Sequence, residues 1–104
     1  MPKEKAIVTR ICENLKRLGI FYEKTCGSPY ERRGRPDLMV IMPHTIGSFV
    51  RAPDGLVRLA FLEVKRPGCK PTPLQAHRIE QLRATGAIAT VVTSWEEARN
   101  VLGL

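Results

Sequence analysis

The chain has 104 residues and a formal net charge of +7, from 17 lysines and arginines against 10 aspartates and glutamates. That length supports one hydrophobic core rather than two. No apolar run approaches the roughly 18 residues of a membrane span, and the opening MPKEKAIVTR lacks the small-residue cleavage site of a signal peptide. A single soluble domain over residues 1–104 is expected, with no membrane association and an intracellular, cytoplasmic location. Cys12, Cys26 and Cys69 are odd in number, widely spaced and form no C-x-x-C pair, so they signal neither a disulfide framework nor a zinc site. The positive charge exceeds what solubility requires and suits a polyanionic partner, although charge by itself names none.

Along the chain, Ile7, Val8, Ile11, Leu15 and Leu18 recur at helical spacing and Gly19 follows as a stop, so an amphipathic helix is expected over residues 2–18. IFYEK then has strand character, and CGSPYERRGR is a loop rich in glycine, proline and arginine. A second strand is expected over 37–42. PHTIGSFVRAPDG holds a short apolar stretch at 46–50, and its Pro-Asp-Gly reads as a turn into a third strand over 57–65. These two strands make a hairpin with a long connection.

RPGCKPTP is a further loop, after which Thr72, Pro73 and Gln75 form a capping box with proline at the first helical position. That helix runs to about Thr85, where Gly86 ends it. AIATVVT is a short strand, and Ser94 with Glu97 reads as another capping box opening the last helix, WEEARNVLGL. The order is α-β-β-β-α-β-α: an α/β domain with a mixed, mainly antiparallel sheet flanked by helices.

The chemistry gathers where the second and third strands meet. Strand side chains alternate, so Glu63 and Lys65 share a face with Leu59 and Phe61, while Ala60, Leu62 and Val64 fill the other. Antiparallel pairing sets the start of one strand beside the end of the other, bringing Asp37 next to Glu63 and Lys65. Pro36 removes a backbone donor where the ladder has barely begun, and Gly34 lets the backbone turn closely. Two carboxylates in a partly desolvated pocket repel unless a cation lies between them. Magnesium suits such a site, since it takes one or two carboxylates and fills its shell with water and phosphate oxygen. Lys65 would then orient or help deprotonate a metal-bound water, or neutralise charge developing on a phosphate. The plainer reading is a strand that ends in solvent with a salt bridge to Lys65.

Two further polar residues fall where periodicity asks for apolar ones. Glu4 shares the buried arc of the first helix, whereas Glu13 lies nearly opposite and is expected to be solvated; helix-dipole stabilisation also accounts for an acid at that end. Gln75 shares a stripe with Ile79 and Leu82, and a capping role or a site role explains it equally well.

GRPD, then LEVK, then TPLQ opening a helix together resemble the PD-(D/E)XK nuclease superfamily, and specifically the VRR-NUC family of virus-type replication-repair nucleases. The likeness spans essentially the whole chain. It implies a restriction-endonuclease-like core and a Mg2+- or Mn2+-dependent DNA endonuclease. It also implies Asp37 and Glu63 as metal ligands, the Val64 carbonyl as an additional one, and Lys65 as the catalytic lysine. Glu4 matches the family's early acidic residue, and Gln75 matches the glutamine near the scissile phosphate. Small stand-alone members resemble Holliday-junction resolvases, which implies a homodimer on branched DNA; the VVT strand and C-terminal helix would supply an interface or be buried internally. The family further suggests a viral origin, and hence host-cell cytoplasm.

Arg32, Arg33 and Arg35 precede Asp37, and Arg66 and Lys70 follow Lys65, so cations flank both motif segments where phosphate contacts would position DNA. Tyr30 would stack on a base, or simply pack. His44 and His77 have no metal-ligand spacing and read as surface or turn residues. Two rivals stand beside junction resolution: a nuclease for flaps, nicks or duplex ends, and a non-catalytic basic DNA-binding module whose acids only form salt bridges.

Overall fold

The computed structural model describes residues 3–25, 36–42 and 58–104. The expected loop at 26–35, with Cys26, and the apolar stretch and turn within 43–57 lie outside the described residues. The elements follow the expected order: α1 (Glu4–Arg17), β1 (Phe21–Lys24), β2 (Leu38–Met42), β3 (Arg58–Val64), α2 (Pro73–Ala84), β4 (Ile88–Val92) and α3 (Trp95–Leu102).

Helix α1 buries Ile7, Ile11, Cys12 and Leu15, the face its periodicity marks, and leaves Glu13 exposed. Leu18, the C-cap residue, departs from the buried stripe at 49% exposure. Gly19 adopts φ +74°, which lets its N–H reach the Lys16 carbonyl and the Ile20 N–H reach the Leu15 carbonyl. That pairing satisfies two terminal carbonyls and buries Ile20 along with Leu15. At α2 the expected reciprocal capping box is present, Thr72 Oγ1 accepting from the Gln75 N–H and Gln75 Oε1 accepting from the Thr72 N–H. At α3 only half of the expected box forms. Ser94 Oγ accepts from the Glu97 N–H, but the Glu97 carboxylate accepts instead from the Thr93 N–H and hydroxyl, one residue upstream of the cap.

The four strands lie in the order β1-β2-β3-β4, with β1–β2 and β2–β3 antiparallel and β3–β4 parallel across α2. The sheet is therefore mixed. One face carries Leu38, Val40, Met42, Ala60, Leu62, Val64 and Val92, all buried against α1 and α3. Trp95, Ala98 and Leu102 of α3 and Val92 of the VVT strand belong to that same core. Helix α2 lies on the other face, over β4 and the end of β3. Cys12 is buried, Cys69 is exposed, and both are free thiols. No helix among the described residues is long and apolar enough to cross a membrane.

Leu15 is fully buried between α1 and the sheet, so Leu15→Ala is expected to cost about 2–5 kcal/mol of unfolding free energy. Gly19→Ala, which forces a side chain into the left-handed region, is expected to cost about 1 kcal/mol. Urea denaturation of each variant beside wild type checks both values.

Candidate active site

The site is built at one end of the β2–β3 ladder. Leu38 pairs with Leu62, so the next step of the register sets Asp37 opposite Glu63 on the face that α2 partly covers. Asp37 is the residue just before β2, and its Oδ2 accepts the Val64 N–H at 2.7 Å. This bond spans the two strands at the point where β3 ends, and it fixes one carboxylate oxygen against the backbone.

Glu63 is only 2% exposed, the one buried charged residue among those described. Its Oε1 accepts from Gln75 Nε2 at 3.0 Å and lies 3.6 Å from Lys65 Nζ, whose side chain is 14% exposed. Its Oε2 is buried and has no hydrogen-bond partner among the described residues. Burial, and then the charge of Asp37, push the Glu63 carboxyl up from 4.5 to about 7, against the opposing pull of Lys65. The expected convergence of Asp37, Glu63 and Lys65 is thus what the fold produces, and so is the simple Glu63–Lys65 ion pair. One ammonium does not balance two carboxylates, however, and the ion pair leaves Oε2 bare. An unpartnered buried carboxylate oxygen beside a second carboxylate is a donor set that suits a hard divalent cation.

Gln75 completes the capping box of α2 and also contacts Glu63. The capping box uses its carbonyl oxygen, which leaves the amide nitrogen free and aimed at Glu63. A glutamate would complete the same box but would set a third carboxylate against the pair. Val64 is buried at the end of β3, where its N–H serves Asp37. Glu4 is half-buried at the first position of α1, and no third His, Cys, Asp or Glu joins Asp37 and Glu63 in a metal-binding cluster among the described residues. Arg66 and Lys70 are exposed on the segment between β3 and α2, where the Cys69 N–H bonds the Arg66 carbonyl in a turn. Tyr30, Arg32, Arg33, Arg35 and His44 lie outside the described residues; His77 is exposed on α2.

Thr25 was not visible as a site residue. Its N–H donates to the Asp37 carbonyl at 2.9 Å, and its Oγ1 donates to the Pro36 carbonyl at 2.8 Å. These bonds hold the backbone of the Pro-Asp pair from the β1 side. The residue follows FYEK directly, and only the β1–β2 register, Lys24 opposite Leu38, reveals that it stands opposite Asp37.

No family sequence model and no curated protein matches the chain. Solved structures do. One described as a VRR_NUC domain is 30% identical, covers 99% of this chain and 97% of its own, and superposes with a TM-score of 0.70. A VRR_NUC domain protein that is 19% identical, with 98% and 86% coverage and a TM-score of 0.73, shares the fold. Fold and site together define a nuclease domain of the PD-(D/E)XK type. The chain belongs to the VRR-NUC domain family.

The raised Glu63 pKa fixes the sign of a pH effect in metal-free protein. The folded state holds that proton more tightly than the unfolded chain, so this stabilising contribution is complete below about pH 4.5 and is lost as pH rises through about 7. The full span amounts to roughly 3 kcal/mol. Urea midpoints in EDTA at several pH values are expected to show wild type losing stability relative to Glu63→Gln across that window; parallel pH profiles would contradict the shift.

Proposed function

We propose that this domain is a Mg2+- or Mn2+-dependent DNA endonuclease that acts on branched DNA, four-way junctions foremost, as a homodimer. The observation that carries the chemistry is the bare, buried Oε2 of Glu63 beside Asp37. A domain that merely gripped DNA would gain nothing from burying a second carboxyl beside Asp37, where one ammonium does not balance the pair.

In this reading Asp37 and Glu63 hold the cation, with the Val64 carbonyl as a further donor. The cation supplies charge neutralisation and lowers the pKa of water for attack on phosphorus. Gln75, fixed by its capping bond to Thr72, orients Glu63 through the 3.0 Å amide contact and stands at the helix terminus nearest the scissile phosphate. Lys65 keeps its ammonium at the edge of the pocket, where it donates to the attacking water or to the phosphate oxygens as they gain charge. Hydrolysis then adds the water oxygen to phosphorus, breaks one P–O ester bond and returns a proton to the departing oxygen. Arg66 and Lys70, with Arg32, Arg33 and Arg35 on the preceding motif segment, bind backbone phosphates without reading sequence. Tyr30 stacks on an exposed base at the branch, and Glu4 assists water or metal binding from α1.

The direct test is cleavage of matched four-way-junction, flap, nicked and linear DNAs with magnesium, manganese or EDTA. Metal-dependent symmetric cutting of the junction is expected. Cutting confined to flaps, nicks or ends would replace the substrate, and no cutting with retained DNA binding would leave a binding module. Lys65→Ala is expected to lower cleavage by about 100-fold or more while DNA affinity stays nearly constant. Asp37→Asn is expected to weaken Mn2+ binding and cleavage together, and an unchanged Mn2+ titration would remove Asp37 from the ligand set.

A further inference from the structure

The β2–β3 ladder breaks off at the site in a way that regular pairing does not explain. Successive carbonyls of a strand alternate between its two neighbours. The Asp37 carbonyl faces β1, where it accepts the Thr25 N–H at 2.9 Å. A regular continuation would therefore turn the Pro36 carbonyl toward β3. Its partner there is Val64, since Leu38 pairs with Leu62 and the next like pair lies two residues further on each strand. The Val64 N–H does face β2, because the Lys65 N–H that follows it is given to Val92 on the β4 side. Yet Val64 donates to Asp37 Oδ2 at 2.7 Å, and the Pro36 carbonyl accepts from the Thr25 hydroxyl at 2.8 Å, on the β1 side. The same hydroxyl lies 3.3 Å from the Asp37 carbonyl, and the chain bends at Asp37 so that both carbonyls turn the same way.

We infer that Thr25 is a positioning residue: its hydroxyl draws the Pro36 carbonyl out of the β2–β3 ladder and so leaves the Val64 N–H to the Asp37 carboxylate. The two acceptors compete for one donor. With the carbonyl held by β1, the carboxylate takes its place and is fixed; with the carbonyl returned to β3, the carboxylate loses its anchor and can rotate about its own side-chain bonds. Pro36 acts in the same direction, having no N–H to offer the Val64 carbonyl. The unmade last rung thus turns both backbone groups of Val64 to the service of the site, the N–H as anchor for one proposed ligand and the carbonyl as a further donor. Threonine suits the position because a hydroxyl brings a donor to a half-buried strand end whose own N–H is already spent on Asp37. Serine keeps that donor; valine keeps the shape and loses it. The effect on metal affinity rests on the cation site of the proposed function, whereas the anchoring of Asp37 does not.

The test uses the metal-free full chain and its Thr25→Val, Thr25→Ala and Thr25→Ser variants, with thermal melts confirming that each is folded. NMR reads the Val64 amide proton, and Asp37→Asn marks where it resonates when its acceptor is neutral. Thr25→Val and Thr25→Ala are expected to move it upfield toward that position, as a charge-assisted bond gives way to a neutral one, and Thr25→Ser to leave it near wild type. Calorimetric titration with Mn2+ is expected to show Kd raised about tenfold or more in the valine and alanine variants and nearly restored in the serine variant. A Val64 amide that stays in place without the hydroxyl would overturn the inference, as would lowered stability with an unchanged Mn2+ Kd, the pattern of a purely structural threonine. A wild type that binds no Mn2+ would overturn the cation site instead, and the amide resonance would still decide whether Thr25 anchors Asp37.

Discussion

The buried carboxylate of Glu63 is the constraint around which the rest of the domain is arranged. A charge removed from water must find compensation, and a strand end on a protein surface would ordinarily supply it from solvent. Here β3 carries Glu63 beneath the first turn of α2, to 2% exposure, with one ammonium and one amide on Oε1 and nothing on Oε2. Its neighbour across the ladder is another carboxylate, tied to the Val64 N–H and unable to turn away without breaking a strand-to-strand bond. The fold therefore fixes two carboxyl groups side by side at a rigid point, one of which holds a proton below about pH 7.

The elements that enforce this are ordinary ones used for two purposes. A capping box starts α2 and in the same bonds aims the Gln75 amide at Glu63. The end of β1 supplies Thr25, whose backbone and hydroxyl grip the Pro36–Asp37 carbonyls. The antiparallel register sets Asp37 one step beyond Leu38 and Leu62, both fully buried, so a one-residue slip of the hairpin would expose core residues as it moved the carboxylate. Stability and site geometry are thus coupled through the same few residues. The sheet's two faces divide the labour: one is closed by α1 and α3 into the core, and the other bears the site and remains partly open beside α2.

Features governed by local periodicity were legible in the chain. The α1 stripe, the Gly19 stop, the Thr72 cap and the alternation along β3 all depend on residues within a few positions of one another. The convergence of Asp37 with Glu63 was legible too, since antiparallel pairing sets the start of one strand beside the end of the other and a buried face excludes a one-residue slip. Thr25 was not, because its role arises from pairing across an intervening segment with no tight-turn signal to set the register. The Ser94–Glu97 box failed for a local reason that sequence does not rank: Thr93 offers Glu97 a backbone and a hydroxyl donor together. Two exposed apolar side chains were hidden as well. Phe21 and Leu59 look like core residues singly, and their exposure follows from tertiary packing that no local signal announces.

The central claim is that Glu63 and Asp37 form a cation site whose metal-free state holds a proton. Calorimetric titration of Mn2+ in buffers of different ionisation enthalpy counts the protons displaced on binding. With the Glu63 carboxyl at about 7, the account predicts saturable binding that releases close to one proton at pH 6 and almost none at pH 8. Absence of saturable binding, or proton release that is the same at both pH values, would contradict it.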